Sequence, residues 1–214
     1  MHVDLTHPIA TGMQTYPGDP DVAVHDHASQ EADGYRVSAL SLGTHAGTHL
    51  DAPSHTEANG ATVDELPVEA FAFDAALVRL SDEMGPRESI EPSRLSSVPD
   101  DCDCLVIDTG WAAHWGSDDY LDNPYLTEEA ASVCADRGLA VALDAPSVDP
   151  SPSATGAPGQ DEPDGHPAHR ALLGGGLPIV ENLTNLDGLP DRFELRAYPL
   201  PVVGGDGSPV RAVA

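Results

Sequence analysis

The chain has 214 residues, 40% of them hydrophobic, enough for one sizeable core, and a single domain over residues 1–214 is the expected organisation. It carries 36 acidic residues against nine basic ones, all nine of them arginine, for a formal net charge of −27. That balance excludes nucleic acid and anionic membrane as partners. It also predicts adaptation to high salt, because the Debye length falls to about 3 Å at 1 M and screens the self-repulsion.

In chain order, Tyr16-Pro17-Gly18-Asp19-Pro20 is a turn cluster. Residues 34–42 alternate in part (Val37, Ala39, Leu40, Leu42) and read as a strand running into a histidine-rich segment. Residues 73–80 are a second strand candidate, and the apolar run 105–107 is a third, of the kind buried on both faces. A helix is expected over 127–137, with Thr127 as cap, Glu128 and Glu129 in its first turn and Gly138 as its stop. Residues 139–143 read as a strand ending at Asp144, and 166–173 as a short helix closed by Gly174-Gly175-Gly176. Residues 179–180 and 193–203 read as further strands, and 210–213 as an edge segment. The fold class is therefore mixed α/β and strand-rich. Residues 149–165, rich in Pro, Ser, Gly and Asp, read as a long loop of the kind that is often functional.

Three cysteines (Cys102, Cys104 and Cys134), no basic or apolar leader after Met1-His2-Val3-Asp4, and no long apolar run predict a reduced, cytoplasmic protein. Cys102-x-Cys104 precedes Leu105-Val106-Ile107 and reads as the start of a buried strand rather than as half a metal site.

The chemistry concentrates in His45-Ala46-Gly47-Thr48-His49-Leu50-Asp51-Ala52-Pro53-Ser54-His55. Gly47, Thr48 and Pro53 disfavour a helix there, and in an extended chain His49 and Asp51 point to the same side. Imidazole and carboxylate together suit a divalent metal such as zinc or manganese. His45, His49 and Asp51 form a compact ligand set, and Asp51 has two oxygens with which to bridge two ions. Three protein ligands with an open position are the pattern of a catalytic site, where a bound water has a pKa near ~7. His55, beyond Pro53, is the candidate for proton transfer. A second constellation, His166, His169 and Glu181, lies downstream, with Glu181 following an apolar run where a carboxylate needs a partner. On the residues alone it is equally well a solvated histidine and a strand-end acid.

The 45–55 segment resembles the HxGTHxDxPxH signature of the metal-dependent cyclase family, which includes bacterial kynurenine formamidases and isatin hydrolases. Asp4-Leu5-Thr6-His7-Pro8, Tyr16-Pro17-Gly18-Asp19 and Asp108-Thr109-Gly110-Trp111 are similar to further family blocks, as are Asp144-Ala145-Pro146-Ser147-Val148-Asp149, 167–173 and Glu181-Asn182-Leu183. The resemblance implies a swivelling β/β/α fold assembled as a homodimer or larger homo-oligomer. It implies one metal at His45, His49 and Asp51, a second at Asp51, His169 and Glu181, and His55 as acid and base. The implied reaction is hydrolysis of N-formylkynurenine to kynurenine and formate, with Tyr16, Trp111 and Trp115 as candidates to line an aryl pocket. The segment between Asp149 and His169 departs from the pattern in being long and polar, and His166 could serve as ligand or second relay. Two other functions compete: opening of isatin-like cyclic amides or lactones by the same machinery, and metal carriage without turnover.

Overall fold

The fold was obtained as a computed structural model, which describes residues 2–153 and 162–214. The elements in chain order are β1 (Ala23–Ala28), α1 (Gln30–Asp33), β2 (Val37–Ser41), β3 (His49–Asp51), β4 (Ala72–Arg79), β5 (Ser89–Ile90), β6 (Cys104–Asp108), β7 (Tyr125–Leu126), α2 (Glu128–Asp136), β8 (Ala140–Leu143), α3 (Pro167–Gly174), β9 (Ile179–Glu181), β10 (Arg192–Arg196) and β11 (Gly207–Pro209). Seven strands form one mixed sheet in the order β10-β4-β6-β8-β9-β3-β11. The central pairs β4–β6, β6–β8 and β8–β9 are parallel, and β10–β4, β9–β3 and β3–β11 are antiparallel.

The central strands are apolar on both faces because both faces are covered. Leu105 and Ile107 of β6 and Val141 and Leu143 of β8 enter a core capped by Ala130, Ala131 and Cys134 of α2 and Ala168, Leu172 and Leu173 of α3. The alternate residues Cys104, Val106, Ala140 and Ala142 enter a second core with Leu5, Phe73, Leu195 and Val210. The continuous apolar runs seen in the sequence are this two-sided burial. Helix α2 forms where expected: the Thr127 hydroxyl accepts from the Ala130 amide at 3.1 Å, and Gly138 takes a left-handed φ of 69° just beyond the end.

Two expectations need correction. The strand expected over 34–42 to run into the histidine-rich segment is β2, which stops at Ser41 and pairs with β1 as a separate antiparallel sheet. The strand expected over 193–203 ends at Arg196, because Pro199 and Pro201 cannot donate to a continued ladder. The segment 210–213, expected to pair at an edge, does so through isolated bridges, Val210 to Pro199 and Val213 to Asp4 and Arg196. The long loop expected over 149–165 lies partly, at 154–161, outside the described residues. Cys102 and Cys104 are buried at the start of β6 as free thiols. Among the described residues no helix is long and apolar enough to cross a membrane.

Candidate metal centre

The site forms where the sheet trades apolar side chains for ligand-type ones. In β3, Leu50 points into the second core, so His49 and Asp51, one residue to either side, face the helix-covered side. On the adjacent strand Glu181 pairs directly with His49, and Val180 with Leu50. Val180 shares Leu50's core, so Glu181 shares the face of His49 and Asp51. Helix α3 packs over that face and brings His169 down onto it. His49, Asp51, His169 and Glu181 are all buried. The segment expected to hold the chemistry thus meets His169 and Glu181 of the downstream constellation in one place.

Their donor atoms converge closely. His49 Nε2 lies 3.3 Å from Asp51 Oδ1 and 3.4 Å from Glu181 Oε2. His169 Nε2 lies 3.5 Å from Asp51 Oδ2 and 3.4 Å from Glu181 Oε1. Zinc–nitrogen bonds of about 2.0–2.1 Å in a tetrahedron set donors about 3.3–3.4 Å apart, so the spacing is that of ligands around a small cation. His45, at the rim, places Nδ1 2.7 Å from Asp51 Oδ1. Two sets of ligand atoms result, His45/His49/Asp51 and Asp51/His169/Glu181, which share Asp51. Asp51 Oδ2 is buried with no hydrogen-bond partner. A buried carboxylate oxygen left unpaired is costly, and a cation satisfies it.

The rings are held from behind, as metal-binding imidazoles are. His169 Nδ1 donates to Asp149 Oδ2 at 2.7 Å, and the same carboxylate caps α3 by accepting from the Ala168 and His169 amides. His49 Nδ1 donates to the Gly47 carbonyl at 2.8 Å. Glu181 Oε1 accepts from the Val148 amide at 2.9 Å. Gly207 is required beside His45, since a Cβ there would meet His45 Cε1 at 2.7 Å and the Leu50 carbonyl at 2.9 Å.

Without a cation the cluster balances its own charge. Burial disfavours protonated His49, but the charge of Asp51 and the hydrogen bonds that the imidazolium donates to Asp51 and Glu181 outweigh it and raise its pKa to about 10. His169 is likewise held well above the ordinary imidazole range, burial being outweighed by the hydrogen bond to Asp149 and by the facing carboxylates of Asp51 and Glu181. Burial raises Asp51, yet the neighbouring imidazoles win and hold it well below the usual carboxylate range. In Glu181, burial and the Asp51 charge are outweighed by hydrogen bonds from His169 and His49, so its pKa is lowered.

A cavity opens over the cluster. His55 lines it from the turn Pro53–His55, with His166, Tyr16, Trp115, Tyr120 and Asn182. Burial and the nearby Glu181 charge push the Tyr16 phenol up to about 12, so it is a hydroxyl donor at neutral pH. Trp111 is not brought to the cavity. Its ring is buried in the helix-side core and its Nε1 donates to the Tyr120 carbonyl at 2.9 Å. Trp115 stands at the cavity instead, with His7 stacked on it at a centroid distance of 4.0 Å. His166 is exposed at the start of α3, its ring 5.8 Å from that of His169, and Asp149, His166 and His169 form a third possible ligand group.

Three residues at the site went unassigned in the sequence. Asp149 and Asn182 stand within motif blocks but carried no role. Asn182, at a left-handed φ of 59°, accepts from the Tyr120 hydroxyl at 2.8 Å and donates to the Gly47 carbonyl at 3.0 Å. Asp206 lies within hydrogen-bond reach of His45 and His55 and is one acidic residue among 36.

The chain as a whole is similar to known proteins. A family model described as putative cyclase matches residues 3–150. A kynurenine formamidase of Salinibacter ruber is 32% identical over 99% of this chain and 95% of its own length. The structure of isatin hydrolase A from Labrenzia aggregata bound to benzyl benzoate is similar with a TM-score of 0.86 and 26% identity, covering 100% of this chain and 92% of that one. A structure described as a potential metal-dependent hydrolase with cyclase activity matches with a TM-score of 0.75 and 25% identity, covering 100% and 96% of the two chains. The match to the family model over most of the chain, and to a relative over nearly all of it, places this protein in the cyclase family.

Proposed function

We propose that this protein is a metal-dependent hydrolase of C–N amide bonds whose substrate is N-formylkynurenine, cleaved to kynurenine and formate. The observation that carries the reading is the buried cluster in which two ligand sets share Asp51, with His55 beside it on the wall of the same cavity. His45, His49 and Asp51 would hold one divalent cation, and Asp51, His169 and Glu181 a second. Bound there, the cation supplies a Lewis acid for a carbonyl oxygen and lowers the pKa of a water toward neutrality. Around it the chain's own groups have separate tasks. His55 takes a proton at the cavity side and returns it to the leaving amine. The Tyr16 hydroxyl and the Trp115 ring orient an aryl substrate, and α3 with Tyr120 excludes bulk water from the floor.

Zinc is the preferred ion, since three imidazole and carboxylate donors with an open position suit a catalytic zinc, and manganese is the alternative for the same His/Asp/Glu set. We further propose one domain, a homodimer or larger homo-oligomer, and a cytoplasm of high salt. The full-length similarity to a kynurenine formamidase supports the substrate. The backbone similarity to isatin hydrolase A supports a second reading, in which an isatin-like cyclic amide is opened.

The test is hydrolysis of N-formylkynurenine, isatin and a simple lactone by purified protein, with metal content per chain measured alongside. Formamide cleavage that is lost on chelation and restored by zinc or manganese is expected. Turnover of isatin alone would install the second reading. Metal without turnover of any of the three would install a carrier. His55→Ala should keep its metal and lose roughly 10²–10⁴-fold in rate, the usual worth of a general acid–base group.

A further inference from the structure

We propose that Asp206 is the positioning residue for His55, fixing the imidazole as the tautomer with its proton on Nδ1 and leaving Nε2 as the nitrogen that exchanges a proton. This rests on the reading of His55 as the proton carrier. The two residues are 151 positions apart, and the sheet brings them together. Asp206 precedes β11, whose Gly207 pairs with Asp51, and the Asp206 carbonyl accepts from the Ala52 amide at 2.9 Å. The backbone carrying the carboxylate is therefore tied to the strand that carries the cluster.

The carboxylate is itself fixed by two groups besides His55, Thr44 and His45. Oδ1 accepts from the Thr44 hydroxyl at 2.9 Å. Oδ2 lies 3.1 Å from His45 Nε2 and 3.3 Å from His55 Nδ1. An ionised carboxylate only accepts, so the nitrogen of His55 facing it must carry a hydrogen. The ring is otherwise weakly held, with a side chain 32% exposed at the cavity wall. It touches the His45 ring at a centroid distance of 4.1 Å and the His169 ring at 5.8 Å. Neither contact selects a tautomer, whereas the hydrogen bond to Asp206 does. The logic is that of an acid, a histidine and a reacting group in line, in which the acid orients the ring and takes no proton.

The same three residues, His45, His55 and Asp206, could instead chelate a cation, and the test separates the two. The full chain in its zinc-loaded form is compared with D206N, D206E, H55A and H55A/D206N. The readouts are kcat and KM for N-formylkynurenine, zinc per chain, and nitrogen-15 NMR of the His55 ring. We expect His55 to be the Nδ1–H tautomer in the parent protein and to move toward the common Nε2–H form in D206N. With zinc in saturating excess, which offsets any weakening through the Asp206–His45 contact, D206N should lose roughly 10–100-fold in kcat, the usual worth of a group that orients another, with KM little changed. D206E, which keeps the carboxylate, should recover part of the loss, and H55A/D206N should be no slower than H55A. An Nε2–H tautomer in the parent protein, a full additive loss in the double variant, or a loss of zinc that accounts for the loss of rate would each overturn the proposal. If no substrate is turned over, the hydrolase reading falls, while the tautomer in the parent protein and D206N still decides the role of Asp206.

Discussion

At the residue scale the cluster makes a prediction about protons. Two carboxylates and two raised imidazoles neutralise one another in the cation-free protein. A metal ligand must be a neutral imidazole, so binding expels those protons. The folded pKa of His49 is about 10, so at every pH below that the proton competes with the cation. Apparent affinity should therefore rise with pH, roughly tenfold per unit for each imidazole deprotonated. Competition against a chelator of known affinity at pH 6, 7 and 8 measures it, and a flat profile would mean the two imidazoles are not ligands. Asp51→Asn should lower the metal bound at both sets at once, because they share that residue. Glu181→Gln should lower the metal bound at one set alone. Much of this was legible in the sequence, since His45, His49, Asp51 and His55 crowd into one short segment. Asp206 and Asp149 were not assigned, because a carboxylate that orients a histidine looks like any other of 36 acids until the fold places it. Trp111 was misplaced for a related reason: an aromatic beside a motif serves equally as core or as wall, and here burial in the core prevailed.

At the element scale the turn Pro53–His55 has no room to move. Gly60 crosses it so closely that a Cβ would lie 2.4 Å from the Pro53 carbonyl carbon and 2.6 Å from the Ser54 nitrogen. These are backbone atoms, so Gly60→Ala must shift the turn that carries His55. A displacement of about 1 Å can cost 10²-fold in rate. We expect a loss of that order in kcat, with metal content retained because His45, His49 and Asp51 precede the turn. Loss of metal in step with rate would show that the strain reaches β3. Thr127→Ala should cost about 1 kcal/mol of unfolding free energy through the lost cap and leave activity intact, as a denaturant titration and an assay would show. The contrast between α2 and β11 shows what local pattern can reveal. Helix α2 carries its cap and its stop in its own residues. Strand β11, Gly207-Ser208-Pro209, has no apolar alternation and is a strand only because β3 offers it an edge. Strand β1, Ala-Val-His-Asp-His-Ala, was missed likewise, its partner β2 supplying the pairing.

At the scale of the whole molecule, strand order is where sequence reading stops. Strand β3 lies between β9 and β11, so residues 49–51 are flanked by segments more than a hundred positions downstream. Apolar runs mark buried strands, but nothing local in them names the neighbour. Charge, by contrast, is readable in full and carries the last prediction. Among the described residues, Arg79, Arg87, Arg94, Arg137, Arg192, Arg196 and Arg211 each have an acidic partner in an ion pair. Most of these pairs are exposed, and such pairs contribute little, about 0–1 kcal/mol each. Apart from buried acids such as Asp51, Asp149 and Glu181, the acidic excess is left largely facing water and itself. Salt therefore has two opposed effects: it weakens the few exposed attractions and weakens the many repulsions. With acids outnumbering bases four to one, the second must dominate. Unfolding temperature should climb from dilute buffer toward molar sodium chloride and potassium chloride alike, because the effect is screening rather than binding of one ion. A scan that is flat, or falls, between dilute and molar salt would mean the acidic surface is not under strain and would remove the argument for a high-salt habitat.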